Sequence, residues 1–396
     1  MELMKLALHH SNTSACDLSM FSQTEADTIL HFHQSFPMYH ATPLISLTDT
    51  AAILGLNALW VKDESYRFGL HAFKALGGTY AIAKYLSNYL NIPMSELTYE
   101  ILTSPSVHER IQNLTFITAT DGNHGRGIAW TAKQLGVHAV VYMPYGSSPE
   151  RLENIRKEGA DAEITDMNYD DTVRYASREA DKNGWILMQD TSWTGYEELP
   201  GFIIQGYMTM SHETHHQLST KPTHIFIQAG VGSLASSVCG YFKALYGKDC
   251  PKLIVVEAQK ADCLYQSFLH NSPQPTCVTG DLNTIMAGLA CGEPCSIGLS
   301  VLDACADAFI SAPDYISANG MRLLGNPAGN DSRIISGESG AVCAGVVYEL
   351  YRNPSYQSFL TQLELDAHSS VLCFSTEGAT DLANYQKITW EGAYHA

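Results

Sequence analysis

NLTFITATDGNHGRGIAWTAKQLG, Asn113 to Gly136, reads as strand, turn and helix in succession. TFITAT is rich in β-branched and aromatic residues, which suit a pleated strand. DGNHG interrupts it with turn residues. RGIAWTAKQLG then takes helical spacing and stops at Gly136, a glycine where a helix C-cap belongs. Outward from this unit the alternation continues. HAVVYMP and GADAEITD are strands around a helix near 149–158. DDTVRYASREADKNG is an amphipathic helix ending at Gly184, and WILMQD is a strand ending at Asp190. Alternation at this spacing predicts a parallel, doubly wound sheet.

A second series flanks the first. Before it, residues 1 to about 40 predict a short strand and a surface helix. PLISLTDTAAILG holds a helix capped by Thr48 or Asp49 and closed at Gly55, and ALWVKDES is a strand. AFKALGGTYAIAKYLSNYL predicts a helix opening near Ala72, with small residues that let its backbone approach a ligand. After it, FIIQGYMTMSHETHHQL is helical and THIFIQAG is a buried strand. VGSLASSVCGYFKALYG is a helix on a glycine turn, and LIVVEA, DAFISAPD and SSVLCFSTEGATD are further strands. The expected fold class is α/β: two open, twisted, mostly parallel sheets flanked by helices, with a cleft between two lobes.

Composition narrows the function. The chain has 396 residues, 45% hydrophobic and 16% charged, which places it among globular proteins. A net charge of −18 argues against nucleic acid and anionic membrane as partners. No stretch has the run of apolar residues that spans a bilayer. The start, MELMKLALHH, carries Glu2 and too short an apolar run for a secretory leader, so a cytoplasmic location is expected. Ten cysteines occur without C-x-x-C spacing. They read as reduced thiols, and no metal site is expected.

Four loops stand where a parallel sheet binds ligands, at the carboxyl ends of strands. In Thr120-Asp121-Gly122-Asn123-His124-Gly125, helix-start amides suit a carboxylate, Asn123 offers an amide, and Asp121 reads as a base or a helix cap. His124 reads as a packed or hydrogen-bonded ring. Gly230-Val231-Gly232-Ser233 follows a buried strand and suits a phosphate. The same stretch fits the dinucleotide fingerprint G-x-G-x-x-A, with Glu257 ending the next strand where a ribose-binding acid belongs, so a nicotinamide enzyme stays open here. Asp190 ends its strand as a base or a cap. The turns Ser336-Gly337-Glu338-Ser339-Gly340 and Ser375-Thr376-Glu377-Gly378 offer hydroxyls and acids to a ring nitrogen. Lys74, between Phe73 and Ala75 in glycine-rich company, taken alone reads as a lysine whose stem packs and whose ammonium reaches water. Desolvated beside a phosphate loop, it reads as a Schiff-base lysine.

Lys62-Asp63-Glu64-Ser65 followed by Phe73-Lys74, then Gly122-Asn123-His124, then the glycine loop from Gly230, occur in the order and spacing of a known group. From about residue 40 to 385 the chain resembles the fold-type II, tryptophan-synthase-β-like pyridoxal-phosphate enzymes. Within them it is similar to the diaminopropionate ammonia-lyases, through YRFGLHAFKALGGTYA, ATDGNHGRGIAW, YMPYGSSPERLENIRKEGA, MQDTSWTGYEELP, GVGSLAS, SGESGAV and STEGATD. Serine and threonine dehydratases of this fold usually carry serine and alanine before Gly-Asn-His; this chain has Thr120-Asp121.

The resemblance implies a large cofactor domain of residues 1–80 plus 211–396 and a small domain of 81–210. It implies that Lys74 bonds pyridoxal 5'-phosphate, Asn123 meets its phenolic oxygen, and Gly230, Val231, Gly232 and Ser233 hold the phosphate. Ser375 would meet the pyridine nitrogen and Glu338 would line the ring. The substrate would meet Thr120, Asp121, Gly122 and His124. Asp121 and Asp190 would be two bases, for D- and L-2,3-diaminopropionate respectively, in an amino acid catabolic α,β-elimination to pyruvate and ammonia by a homodimer. The alternative is a dehydratase-type deaminase of the same fold.

Overall fold

A computed structural model describes residues 2–10, 16–120, 122–269 and 275–395. Asp121 lies outside the described residues. Among the described residues there are eleven strands: β1 (Lys5–Leu8), β2 (Leu44–Ser46), β3 (Ala58–Asp63), β4 (Thr115–Ala119), β5 (His138–Met143), β6 (Asp161–Ile164), β7 (Ile186–Leu187), β8 (His224–Gln228), β9 (Lys252–Ala258), β10 (Ala308–Ala312) and β11 (Ser370–Ser375). They form a seven-stranded sheet, β1-β10-β9-β8-β11-β3-β2, and a four-stranded sheet, β6-β5-β4-β7. The small sheet is parallel throughout. In the large one only the edge strands β1 and β2 pair antiparallel. Among the described residues, no helix is long and apolar enough to cross a membrane.

The chain divides into two units, Met1–Ser22, Ala41–Tyr66 and Met210–Ala396 in one, Gln23–His40 and Arg67–Thr209 in the other. In the first unit β8, β10 and β11 are buried along their whole length. That is why they read as unbroken apolar runs rather than alternating ones. Val61, Phe226, Ile254, Val256, Ile310 and Val371 share its core. Lys62 is a fully buried cation in β3. Its Nζ donates to Glu213 Oε2 at 2.6 Å, Thr42 O at 2.8 Å and Gln217 Oε1 at 2.9 Å, so the charge is paired and its donors are used.

In the second unit, Ile117, Ala119, Val140, Val173 and Ala176 pack between the small sheet and the helix Tyr169–Asn183. The helix Ala75–Leu90 runs beside the helices Asn123–Leu135 and Glu198–Gly206. Sequence reasoning assigns 23–40 and 67–80 to the large domain, whereas these segments cluster with the second unit. The physical cause is visible: His33, on the helix Gln23–Gln34, donates its Nε2–H to the Leu76 carbonyl at 3.1 Å.

The lysine helix opens at Ala75, three residues later than expected. Phe68, Gly69 and His71 have φ of 49°, 70° and 60°, so the chain cannot enter a right-handed helix before them. The predicted 202–218 helix is two, Glu198–Gly206 and Met208–Gln217. The small residues at 77 and 78 face neighbouring helices rather than a ligand: a Cβ on Gly77 would meet the Tyr207 ring and one on Gly78 would meet Ile128.

Gly206 meets rigid backbone in this space, since a Cβ there would lie 2.7 Å from the backbone oxygen of Leu76. Gly206→Ala should therefore lower unfolding stability by about 1–3 kcal/mol through overpacking. Urea unfolding of the apo-protein measures this, and an unchanged midpoint would contradict the packing described.

Candidate active site

Lys74 occupies the N-cap position of the helix Ala75–Leu90. A Cβ on Gly127, in the helix Asn123–Leu135, would come within 2.9 Å of Ala75 Cα and 3.4 Å of the Lys74 carbonyl carbon. The lysine backbone is thus pressed between helices. Its Nζ donates a 2.9 Å hydrogen bond to Asp190 Oδ2. The side chains are only 17% and 7% exposed, so their attraction is weakly screened.

Asp190 is held from behind by its neighbours. Gln189 accepts from the Ala119 amide at 2.9 Å and the Thr118 hydroxyl at 3.0 Å. Its side-chain amide donates to the Tyr169 hydroxyl at 3.1 Å. The Gln189 backbone N–H donates to the Tyr196 hydroxyl at 3.0 Å, and that hydroxyl donates to the Leu187 carbonyl at 2.7 Å. The strand itself is short, because β7 pairs only through Ile186 and Leu187. The Met188 N–H extends the register to the Ile117 carbonyl.

His124 completes this group. Its Nε2–H donates to the Met188 carbonyl at 2.7 Å, which leaves Nδ1 3.9 Å from Asp190 Oδ2. Burial alone would raise the Asp190 carboxyl. Electrostatic attraction to His124 and Lys74, with the Lys74 hydrogen bond, outweighs it and holds the group at about 2.

In the Thr120–Gly125 loop, the Thr120 hydroxyl accepts from the amides of Gly122 and Gly125 at 3.0 and 3.2 Å. Thr120 therefore braces the turn, and two amides expected to meet an anion are already engaged. Gly122 has φ of 146° and precedes Asn123, the first residue of its helix. The structure brings Lys74, Asn123, His124 and Asp190 into the second unit.

In the first unit, Gly230 to Ser233 turns from β8 into the helix Ser233–Tyr246. Gly232 is the N-cap, with φ of 103°, and brings no side chain to satisfy the first helical amides. A Cβ on Gly230 would lie 3.3 Å from the Gly288 carbonyl and 3.4 Å from Cys291 Sγ. This is a glycine cradle on a buried helix start, the donor set that a phosphate monoester takes. Taken separately, each residue set suits a part of pyridoxal phosphate by its chemistry: glycine-turn amides suit the phosphate, and a desolvated lysine amine such as Lys74 suits the aldehyde.

Glu257 does not serve a nucleotide ribose. Its carboxylate is buried and accepts the backbone amides of Leu264 and Tyr265 at 2.8 and 2.6 Å, capping the helix Cys263–Leu269. The dinucleotide reading of the glycine turn therefore loses its acid.

The two late turns are interlocked rather than separate. The Gly337 amide donates to the Glu377 carbonyl at 2.9 Å, and the Ser339 amide donates to Glu377 Oε1 at 3.1 Å. Ser375 donates to the Ser336 hydroxyl at 2.8 Å. Glu338 begins the helix Glu338–Arg352 and accepts from the Asn384 side chain. Gln228 ties these turns to β8. Its side-chain nitrogen faces the carbonyls of Ser339 and Phe374 at 3.0 Å and the Thr376 hydroxyl at 2.8 Å. Sequence reasoning missed Gln189, Tyr196 and Gln228. The available signal was the same for both glutamines: each closes an otherwise apolar strand, WILMQ and HIFIQ.

Residues 36–357 match the family described as pyridoxal-phosphate dependent enzyme. The chain belongs to that family. It is 51% identical to diaminopropionate ammonia-lyase of Salmonella typhimurium over 95% of this chain and 94% of that one. Holo diaminopropionate ammonia lyase from Escherichia coli has the same fold, with a TM-score of 0.92 and 45% identity, covering 99% of this chain and 98% of that one. The Escherichia coli lyase in complex with an aminoacrylate-PLP azomethine reaction intermediate matches at a TM-score of 0.90 and 44% identity, over 99% of this chain and 98% of that one. The cofactor of this family member is pyridoxal phosphate.

The depressed Asp190 carboxyl has a consequence for the apo-protein. A carboxyl lowered on folding adds stability above its unfolded value near 3.8, and that stability is lost as pH falls toward about 2. The stability gap between the parent and Asp190→Asn should be about 2–3 kcal/mol at neutral pH and close between pH 4 and 2. Urea titrations across that range test it, and a gap that does not change with pH would contradict the ionised pair.

Proposed function

We propose that this chain eliminates the β-amino group from D- and L-2,3-diaminopropionate, yielding pyruvate and two ammonia with uptake of one water. The observation that carries the reading is an ionised carboxylate, Asp190, held 2.9 Å from Lys74 at a strand end, in a chain about half identical to relatives named for this activity. When bound, the cofactor supplies an electron sink for the pair left by the departing α-proton. Lys74 would take the cofactor aldehyde and Asn123 its phenolic oxygen. The Gly230–Ser233 amides would take the phosphate, Ser375 the ring nitrogen, and Glu338 would flank the ring.

Asp190 supports the role of a base because it stays unprotonated at working pH while Gln189 and the Tyr196 hydroxyl keep its backbone in place. Asp121 supplies a second carboxylate in the loop that family resemblance assigns to the substrate, between Thr120 and the pair Gly122 and His124. With the substrate carboxylate fixed, the two enantiomers present the α-hydrogen on opposite sides, so two bases account for two substrates. The acidic loops also favour the extra ammonium of a diamino acid. Family resemblance extends the proposal to a homodimer, and the composition extends it to the cytoplasm.

Pyruvate and ammonia should be measured separately with each enantiomer. Asp190→Asn should lower kcat on the L-substrate by about 10²–10⁴-fold and Asp121→Asn should do so on the D-substrate, the scale of a lost general base. Equal losses on both enantiomers would overturn the two-base reading. Faster turnover of serine or threonine than of diaminopropionate would favour the dehydratase alternative.

A further inference from the structure

The second unit holds a cavity of about 300 Å³ apart from the lysine. Three of its walls are aromatic: Trp185, Trp193 and Tyr196. Trp193 and Tyr196 stand at the ends of the turn Trp193-Thr194-Gly195-Tyr196, closed by reciprocal backbone bonds of 3.3 and 2.8 Å. Gly195 takes φ of 89° in that turn, which brings the two rings into a stack 4.5 Å apart at 28°. Ala180 and Leu187 are apolar lining residues. Asp181 is the one charged residue of the lining. Its neighbour Lys182 pairs with Glu179, at 3.1 Å, rather than with Asp181.

Aromatic side chains with one carboxylate and no basic side chain in the lining select a particular ligand. An anion is repelled by Asp181. A cation gains from the ring quadrupoles and from the carboxylate together. We propose that this cavity is a second binding site, for an organic ammonium ion. Its wall is mechanically joined to the reaction centre. Tyr196 lines the cavity, while its hydroxyl bonds the Gln189 amide and the Leu187 carbonyl, and Asp190 follows Gln189.

Saturation-transfer NMR of the holoenzyme with tetramethylammonium tests the site directly and does not depend on catalytic activity. The methyl signal should saturate with ligand concentration and persist at matched sodium chloride. Asp181→Asn, an exposed position, and Trp185→Leu should each weaken binding about tenfold, with thermal melts checking that both fold. Non-saturable transfer, or equal affinity in the parent and both variants, would overturn the proposal. Competition separates the sources of the ligand. Displacement of the probe by ornithine identifies a diamino acid site, and displacement by choline alone identifies a site for amines without a carboxylate; both support an ammonium site.

Discussion

The contact between Lys74 Nζ and Asp190 Oδ2 sets the terms for the second unit. A lysine and an aspartate withdrawn from water are unfavourable apart and favourable together, so whatever moves either one is penalised. The fold restrains both. The lysine sits at a helix start that Gly127 and Gly206 allow to lie against other backbone. The aspartate follows Gln189, whose hydrogen bonds reach β4, Tyr169 and Tyr196. On the proposed reading, the arrangement presents an amine in one place and keeps a carboxylate unprotonated beside it.

The first unit shows the same economy around a buried side-chain amide. Gln228 spends its side chain on the backbone of two turns, and those turns share their remaining amides and carbonyls through Gly337, Ser339 and Glu377. Ser375 and Glu338 are fixed in turn by hydrogen bonds to Ser336 and Asn384. The glycine cradle at Gly230 to Ser233 lies at the end of the same strand, β8. Loop chemistry here depends on strand ends that are rigid because their own polar groups are satisfied.

Much of this was legible in the sequence. Most strands of both sheets announced themselves because β-branched runs between helices have few alternatives, although β2 lies in a stretch read only as a helix and its cap; the glycine turn before the helix Ser233–Tyr246 stood out by composition. Lys74 and Asp190 were readable as candidates, yet their contact joins positions 116 residues apart and no local pattern encodes it. Glu257 misled because a strand-end acid looks the same whether it faces a ribose or caps a helix. The start of the lysine helix was misplaced because Phe68 and His71 adopt left-handed backbone, which non-glycine residues rarely announce. The roles of Gln189 and Gln228 were hidden for a related reason: a buried amide at a strand end acquires meaning only when its distant acceptors are known.

Reduction of the holoenzyme with borohydride, followed by proteolysis and mass mapping of the pyridoxyl-modified peptide, tests the central claim most directly. The label should fall on Lys74 alone, within the segment Arg67 to Lys84. A label on Lys62 or any other lysine, with Lys74 unmodified, would contradict the account.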